Sequence, residues 1–126
     1  MKQREIIAAC RAVQELAGVR FQYQTAREVA ALRRRLREEY EIAAEREMAL
    51  AKELGVEALE SGQFRTKDPA KAAEFRRRHE EQMDEEAEIE LPVVDLSDCT
   101  DMLQVSPDCL EALDGIVTFE KEGEKT

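Results

Sequence analysis

Apolar residues recur every three or four positions along three stretches of this chain. This spacing predicts three amphipathic helices, because it puts the apolar side chains on one face of each helix. We expect these helices over residues 3–17, over residues 26–54, and from residue 69 to about residue 86. Their apolar faces consist of Ile6, Cys10, Val13, Leu16 and Ala17 in the first, Val29, Leu32, Leu36, Tyr40, Ala43, Leu50 and Leu54 in the second, and Ala72, Phe75, His79 and Met83 in the third.

Residues that commonly begin and end helices flank these stretches. Gly18 and Gly55 follow the first two, where glycine adopts the left-handed conformation that ends many helices. Residues 25–28 (TARE) have the pattern of a capping box, and residues 68–69 (DP) combine a capping aspartate with a first-turn proline. The second helix would be on the order of 40 Å long. A helix of that length needs an antiparallel partner helix, another subunit, or both.

Alternating apolar and polar residues predict short strands outside the helices. One such segment covers residues 19–24, and another covers residues 89–93, where Pro92 favours a sheet edge because it lacks a backbone N–H. A last strand is expected over residues 116–120. Since two strands alone are marginally stable in water, the sheet must pack on the helices or recruit residues 19–24.

The C-terminal third adds a short helix that begins at residues 106–107 (SP), with Leu110 and Leu113 facing inward. Together the elements predict a single domain of the mainly α, α+β class. A long antiparallel helical hairpin or three-helix layer occupies residues 1–86. A small α+β cap follows over residues 87–120, and residues 121–126 are expected to be a disordered tail because they are too polar to fold.

Composition supports a helical protein of the cytoplasm. Apolar residues make up 43% and charged residues 38%, whereas aromatic residues make up only 5%, a balance typical of long helices. The three cysteines form no C-x-x-C pair, which argues against a disulfide framework and for a reducing compartment. We find no signal-peptide pattern and no run of about 20 apolar residues, so we expect no membrane association.

Charge is distributed unevenly along the chain, whose formal net charge is -10. Residues 1–54 hold 11 Lys/Arg and 9 Asp/Glu, whereas residues 80–126 hold 2 and 16. The basic side chains concentrate at residues 33–37 (RRRLR) and 76–78 (RRR). Glutamates follow four residues after Arg34, Arg35 and Arg37, an arrangement that favours ion pairs within the helix.

Three interpretations of these charges stay open. The preferred one is a solvated, self-paired helix face, together with docking of the basic helices on the acidic last third. Direct nucleic-acid binding is disfavoured, because aromatic residues are few and the overall field is negative. A protein–protein surface is the third. The candidate interaction residues are Arg33, Arg34, Arg37, Arg76, Arg77, Glu85, Glu86, Glu88 and Glu90.

No pattern of catalytic, cofactor-binding or metal-binding residues emerges. His79 lies on the apolar face of the third helix, which predicts a partly buried structural histidine. Asp95, Asp98 and Asp101 lack the spacing, glycine and late glutamate of a calcium loop. We therefore expect a non-enzymatic protein without a cofactor.

The order of features resembles a family of small uncharacterised proteins from tailed phages and prophages of Gram-positive bacteria. The resemblance covers roughly residues 4–120. It is carried by the hydrophobic and charge pattern of residues 21–55 (FQYQTAREVAALRRRLREEYEIAAEREMALAKELG) and residues 64–98, and by residues 106–120 (SPDCLEALDGIVTFE). It implies a phage or prophage origin, located in the host cytoplasm or on the virion.

Two functions follow as hypotheses. The first is an interaction or assembly protein that forms a homo-oligomer through its long helices. The alternative is an acidic inhibitor of a host defence or nucleic-acid-binding protein, in which the last third acts as a nucleic-acid decoy.

Overall fold

The computed structural model describes residues 1–120; the tail predicted for residues 121–126 lies outside the described residues. Helices account for 59% and strands for 8% of the structure, which confirms the mainly α, α+β class. The helices are α1 (Gln3–Val13), α2 (Tyr23–Leu54), α3 (Pro69–Asp84) and α4 (Pro107–Ala112), with 3₁₀ turns at Gln14–Leu16 and Thr100–Met102. The strands are β1 (Glu57–Ala58), β2 (Phe64–Arg65), β3 (Val94–Asp95) and β4 (Val117–Thr118).

Helix α2 is the longest element, and both α1 and α3 pack along it. Helix α3 runs antiparallel to the C-terminal half of α2, because Arg78 pairs with Glu53 near the end of α2 whereas Glu85, just beyond α3, pairs with Arg46. Helix α1 packs on the N-terminal half of α2 through the apolar core. The predicted long helix and antiparallel hairpin are therefore present.

The main hydrophobic core lies between α1, the N-terminal half of α2, and the C-terminal α4, β3 and β4. Its side chains are almost completely inaccessible to water, and their burial is the main source of stability. Fully buried large side chains are Ile6, Val13, Leu16, Leu32, Leu36, Val94, Leu96, Cys109 and Leu113. The thiol of Cys109 donates a hydrogen bond to the carbonyl oxygen of Ala12, at 3.4 Å, which links α4 to α1.

The prediction of a strand over residues 19–24 is wrong. Helix α2 begins at Tyr23, with Gln22 as its N-cap, so Thr25 lies inside the helix and the predicted capping box does not form. Neither proline nor glycine stops the helix from extending upstream to Tyr23. Of the three apolar residues in this segment, only Phe21 packs on the core, whereas Tyr23 is exposed.

The prediction of a strand over residues 89–93 is also wrong, because the pairing begins one residue later. Strand β3 pairs with β4 in parallel, with Val94 opposite Val117. The amide of Val94 donates to Ile116 at 3.1 Å, and the amide of Leu96 donates to Thr118 at 2.7 Å. Pro92 has no N–H to offer such a ladder, which is consistent with pairing that starts beyond it.

The remaining expectations divide. The strand over residues 116–120 is present as the shorter β4, and Gly55 ends α2 in the left-handed conformation with φ 70°. Leu113 faces inward as predicted, but Leu110 is 42% exposed. The connection over residues 55–67 contains the antiparallel hairpin β1–β2, which the sequence did not suggest.

Candidate functional site

The basic helices dock on the acidic segment, as predicted. The arginines that make these contacts, Arg4 and Arg46, are not among the predicted interaction residues. Arg4 of α1 pairs with Glu80 at 2.9 Å and with Asp84 at 2.8 Å. Arg46 of α2 pairs with Glu85 at 2.8 Å. The hydrogen bond from Arg46 lowers the pKa of Glu85 below its usual value. The acidic end of α3 is thus neutralised by α1 and α2.

Backbone contacts fix the same junction. The amide of Gln3 donates to the carbonyl of Glu85 at 3.0 Å, and the amide of Ala87 donates to the carbonyl of Met1 at 2.8 Å. The amine of Met1 lies 3.2 Å from a carboxylate oxygen of Glu86. Glu85 and Glu86 therefore have intramolecular partners. Glu88 and Glu90 are exposed and have no ion pair within residues 1–120.

The arginines of residues 33–37 behave differently from one another. Arg35 pairs with Glu39 at 2.6 Å, four residues later as predicted. Arg34 and Arg37 are exposed, and in the described part of the chain neither has a carboxylate within 4.0 Å. The expectation of ion pairs within the helix is therefore confirmed for Arg35 and wrong for the other two. Arg33 is half-buried, and its Nε has no hydrogen-bond acceptor among residues 1–120.

The second arginine cluster lies on α3. Arg77 pairs with Glu74 at 2.5 Å and with Glu81 at 2.7 Å, both on the same helix. Arg76 is exposed and has no ion pair in the described residues. Within residues 1–120 the two arginine clusters share no ion-pair partner.

A cleft of about 480 Å³ lies between α1, α2, α3 and β2. On its wall, the Nε2 of His79 lies 2.6 Å from a carboxylate oxygen of Glu47, which ties α3 to α2. The ring of His79 stacks on that of Phe75, with the ring centroids 5.8 Å apart. The ring of Phe75 in turn packs on that of Phe64 in β2, with the centroids 5.0 Å apart. His79 is partly buried, as predicted. Residues 1–120 contain no cluster of three potential metal ligands.

The outer face of α2, the side turned away from the core, is exposed along most of the helix. Its residues are exposed and follow one another at intervals of four and three: Arg27, Ala31, Arg34, Glu38, Glu41, Glu45, Met48 and Lys52. Met48 belongs to this face and Ile42 borders it, and their side chains are 51% and 50% exposed. The alternating interval keeps these residues on one side of the helix, but six of the eight are charged, unlike the apolar a and d positions of a coiled coil.

Sequence reasoning missed this outer face because it followed only the stripe that faces inward. The interval of four and three was readable from the sequence, but the charged residues within it concealed the pattern. Of the candidate interaction residues, Arg34 belongs to the outer face and Arg37 borders it.

No helix within residues 1–120 is both long enough and apolar enough to cross a membrane. Comparisons with protein-family models, with curated proteins and with solved structures find no match to this chain.

Proposed function

We propose that this protein is a small non-enzymatic interaction or assembly protein, of phage or prophage origin, that self-associates through the outer face of α2. The observation that carries this proposal is that two large apolar side chains of this 32-residue helix, Ile42 and Met48, are half-exposed. Apolar side chains left exposed on a long helix favour contact with a partner when they are covered by it. All eight residues of this face are exposed, although Met48 and Lys52 border a groove that Val56 and Ala58 also line.

Charge on the outer face supports a second copy as the occupant. The face carries both signs, with Arg27, Arg34 and Lys52 against Glu38, Glu41 and Glu45. A surface of mixed sign lacks the single-sign excess that would repel a second copy. A nucleic acid would instead require a continuous basic surface, so direct nucleic-acid binding stays disfavoured.

A decoy function for the acidic third stays the alternative hypothesis. The structure reduces its charge, because Glu80, Asp84, Glu85 and Glu86 are paired with groups of the same chain. Glu88 and Glu90 are exposed, so their carboxylates are the ones that such an inhibitor would present to a partner.

The proposal is tested by light scattering at protein concentrations from about 5 to 100 µM, a range that detects interfaces with micromolar or tighter dissociation constants. We expect the natural protein to be larger than a monomer and the Met48→Lys variant to be shifted towards the monomer. Met102→Lys is the matched control, because Met102 is 54% exposed but lies in the C-terminal cap. A monomeric natural protein, or equal behaviour of the two variants, would contradict the proposal.

A further inference from the structure

Three arginines from two helices lie at the groove between α1 and the middle of α2. The groove has a volume of about 370 Å³, and Arg11 of α1 and Arg37 and Tyr40 of α2 are among the residues that line it. Arg33 lies one turn before Arg37 on the same side of α2. Burial raises the pKa of Cys10, which also lines the groove, and the positive charges of Arg37, Arg11 and Arg33 oppose this rise. The three guanidinium groups are therefore close enough to act on one sulfur atom.

The fold leaves these three arginines without a counter-charge. None of them has a carboxylate within 4.0 Å among residues 1–120, although acidic residues outnumber basic ones by 29 to 19 in the whole chain. Glu41 lines the groove but makes no ion pair with Arg37, since glutamate after arginine is the less favourable order within a helix. The buried Nε of Arg33 also lacks an acceptor in this part of the chain. An unpaired buried donor costs free energy, so a ligand that neutralises the cluster is favoured.

The donors along the groove suit an oxyanion. Guanidinium groups offer paired N–H donors whose spacing matches the oxygens of phosphate. Gln14 and Tyr40 add an amide and a hydroxyl to the lining, and both groups donate hydrogen bonds to oxygen. The volume falls within the roughly 300–1,000 Å³ of small-molecule sites, which leaves room for the organic part of a phosphorylated compound.

We propose that the groove between α1 and α2 binds the phosphate group of a small phosphorylated molecule through Arg11, Arg33 and Arg37. This inference goes beyond the proposed self-association and does not rest on it. A nucleic-acid strand offers the same phosphates, but a strand needs a continuous basic surface. Beyond the groove it would meet the exposed carboxylates of Glu38 and Glu45, which repel a polyanion. A compact ligand avoids that repulsion.

Isothermal titration calorimetry with inorganic pyrophosphate tests the site at low salt. We expect one pyrophosphate per chain, and we expect Arg11→Gln and Arg37→Gln each to weaken binding by at least about tenfold, because each removes hydrogen bonds to a charged group. Arg34→Gln is the matched control, since Arg34 is exposed and unpaired in the same arginine cluster but lies on the outer face. No binding by the natural protein at about 10 mM pyrophosphate, a concentration that detects even millimolar dissociation constants, would overturn the inference. Equal weakening in the control variant would overturn it as well.

Nuclear magnetic resonance locates the anion without a substitution. Pyrophosphate should shift the side-chain Nε–H signals of Arg11, Arg33 and Arg37, whereas the signal of Arg76 on α3 should stay in place. Equal shifts at Arg76 would indicate diffuse attraction of anions and would contradict a built site.

A single-stranded oligonucleotide separates the two sources of phosphate. At equal phosphate concentration it should bind more weakly than pyrophosphate, because its length brings it against the carboxylates beside the groove. Tighter binding of the oligonucleotide, lost in Arg37→Gln, would overturn the assignment to a small molecule.

Discussion

The two halves of helix α2 are held in the fold by different interactions. The N-terminal half contributes Leu32 and Leu36 to the main core, where both side chains are fully buried. The C-terminal half buries Leu50 and Ala51, but α3, which covers it, has no buried residue and pairs with α2 through Arg78–Glu53 and His79–Glu47. One helix therefore joins a large apolar core to a smaller one that exposed and half-exposed ion pairs supplement.

This difference indicates which part of the structure should unfold first. Burial of apolar surface contributes most of the stability, at about 25 cal/mol per Å², whereas exposed ion pairs contribute roughly 0–1 kcal/mol each. Segments with few buried apolar contacts open at lower free energy than the core. We expect α3 and the β1–β2 hairpin to detach from α2 while α1, α4 and the parallel strands stay in place.

The largest expected effect is the loss of a core side chain in the N-terminal half. Leu36→Ala should reduce the free energy of unfolding by about 2–5 kcal/mol, since it removes buried methyl groups and leaves a cavity. Urea denaturation followed by circular dichroism measures the change. Leu110→Ala is the matched control, because Leu110 is partly exposed and its truncation should cost much less. Equal losses of unfolding free energy in the two variants would contradict the assignment of Leu36 to the core.

A smaller and more local effect is expected in the C-terminal half. The carboxylate of Asp68 accepts a hydrogen bond from the amide of Ala70 at 2.9 Å and caps α3. Asp68→Ala should cost about 1 kcal/mol. Hydrogen exchange should accelerate in α3 and stay unchanged in α1.

Asp68→Asn serves as the control for this variant, because asparagine caps helices as well as aspartate does. Equal acceleration of exchange in α1 and α3 would argue that the two regions open together rather than separately.

The smallest expected effect is a pH dependence within the N-terminal region. The hydroxyl and amide of Ser106 both donate to Glu15, at 2.7 and 2.9 Å, and they lower the pKa of Glu15 from its ordinary value of 4.5. A lowered pKa means that the folded state binds the proton less readily than the unfolded state. The stabilisation is therefore complete above pH 4.5 and is lost as the pH falls through the lowered pKa.

The measurement compares urea midpoints of the natural protein and Glu15→Gln at neutral pH and near pH 3. The natural protein should be the more stable at neutral pH, and the difference should shrink in acid. A difference that is independent of pH would indicate that the carboxylate charge does not contribute.

The helices were predictable from the sequence, since their signals are local. Apolar spacing gave α1, α2 and α3, and the caps at Asp68 and Ser106 are the ones that form. The start of α2 was missed because Tyr23 suits a strand or a helix equally well by pattern. The parallel pairing of β3 with β4 was missed because alternation along one segment carries no information about its partner.

The candidate site was predictable only in part, for the same reason. The pair of Arg35 with Glu39 follows from spacing along one helix. The pair of Arg4 with Glu80 joins residues 76 positions apart, so it depends on the tertiary fold. The exposure of the outer face of α2 also depends on the tertiary fold, since other elements could have packed there.

The hydrogen bond that joins Cys109 to α1 has a consequence for thiol chemistry. Burial raises the pKa of the Cys109 thiol to about 11, and burial also raises the pKa of Cys10. The thiolate is the species that reacts with oxidants and alkylating agents. Both thiols should therefore react slowly while α1 and α4 stay packed. Among the three thiols, oxidation in the native state is thereby directed to Cys99, whose side chain is only half-buried.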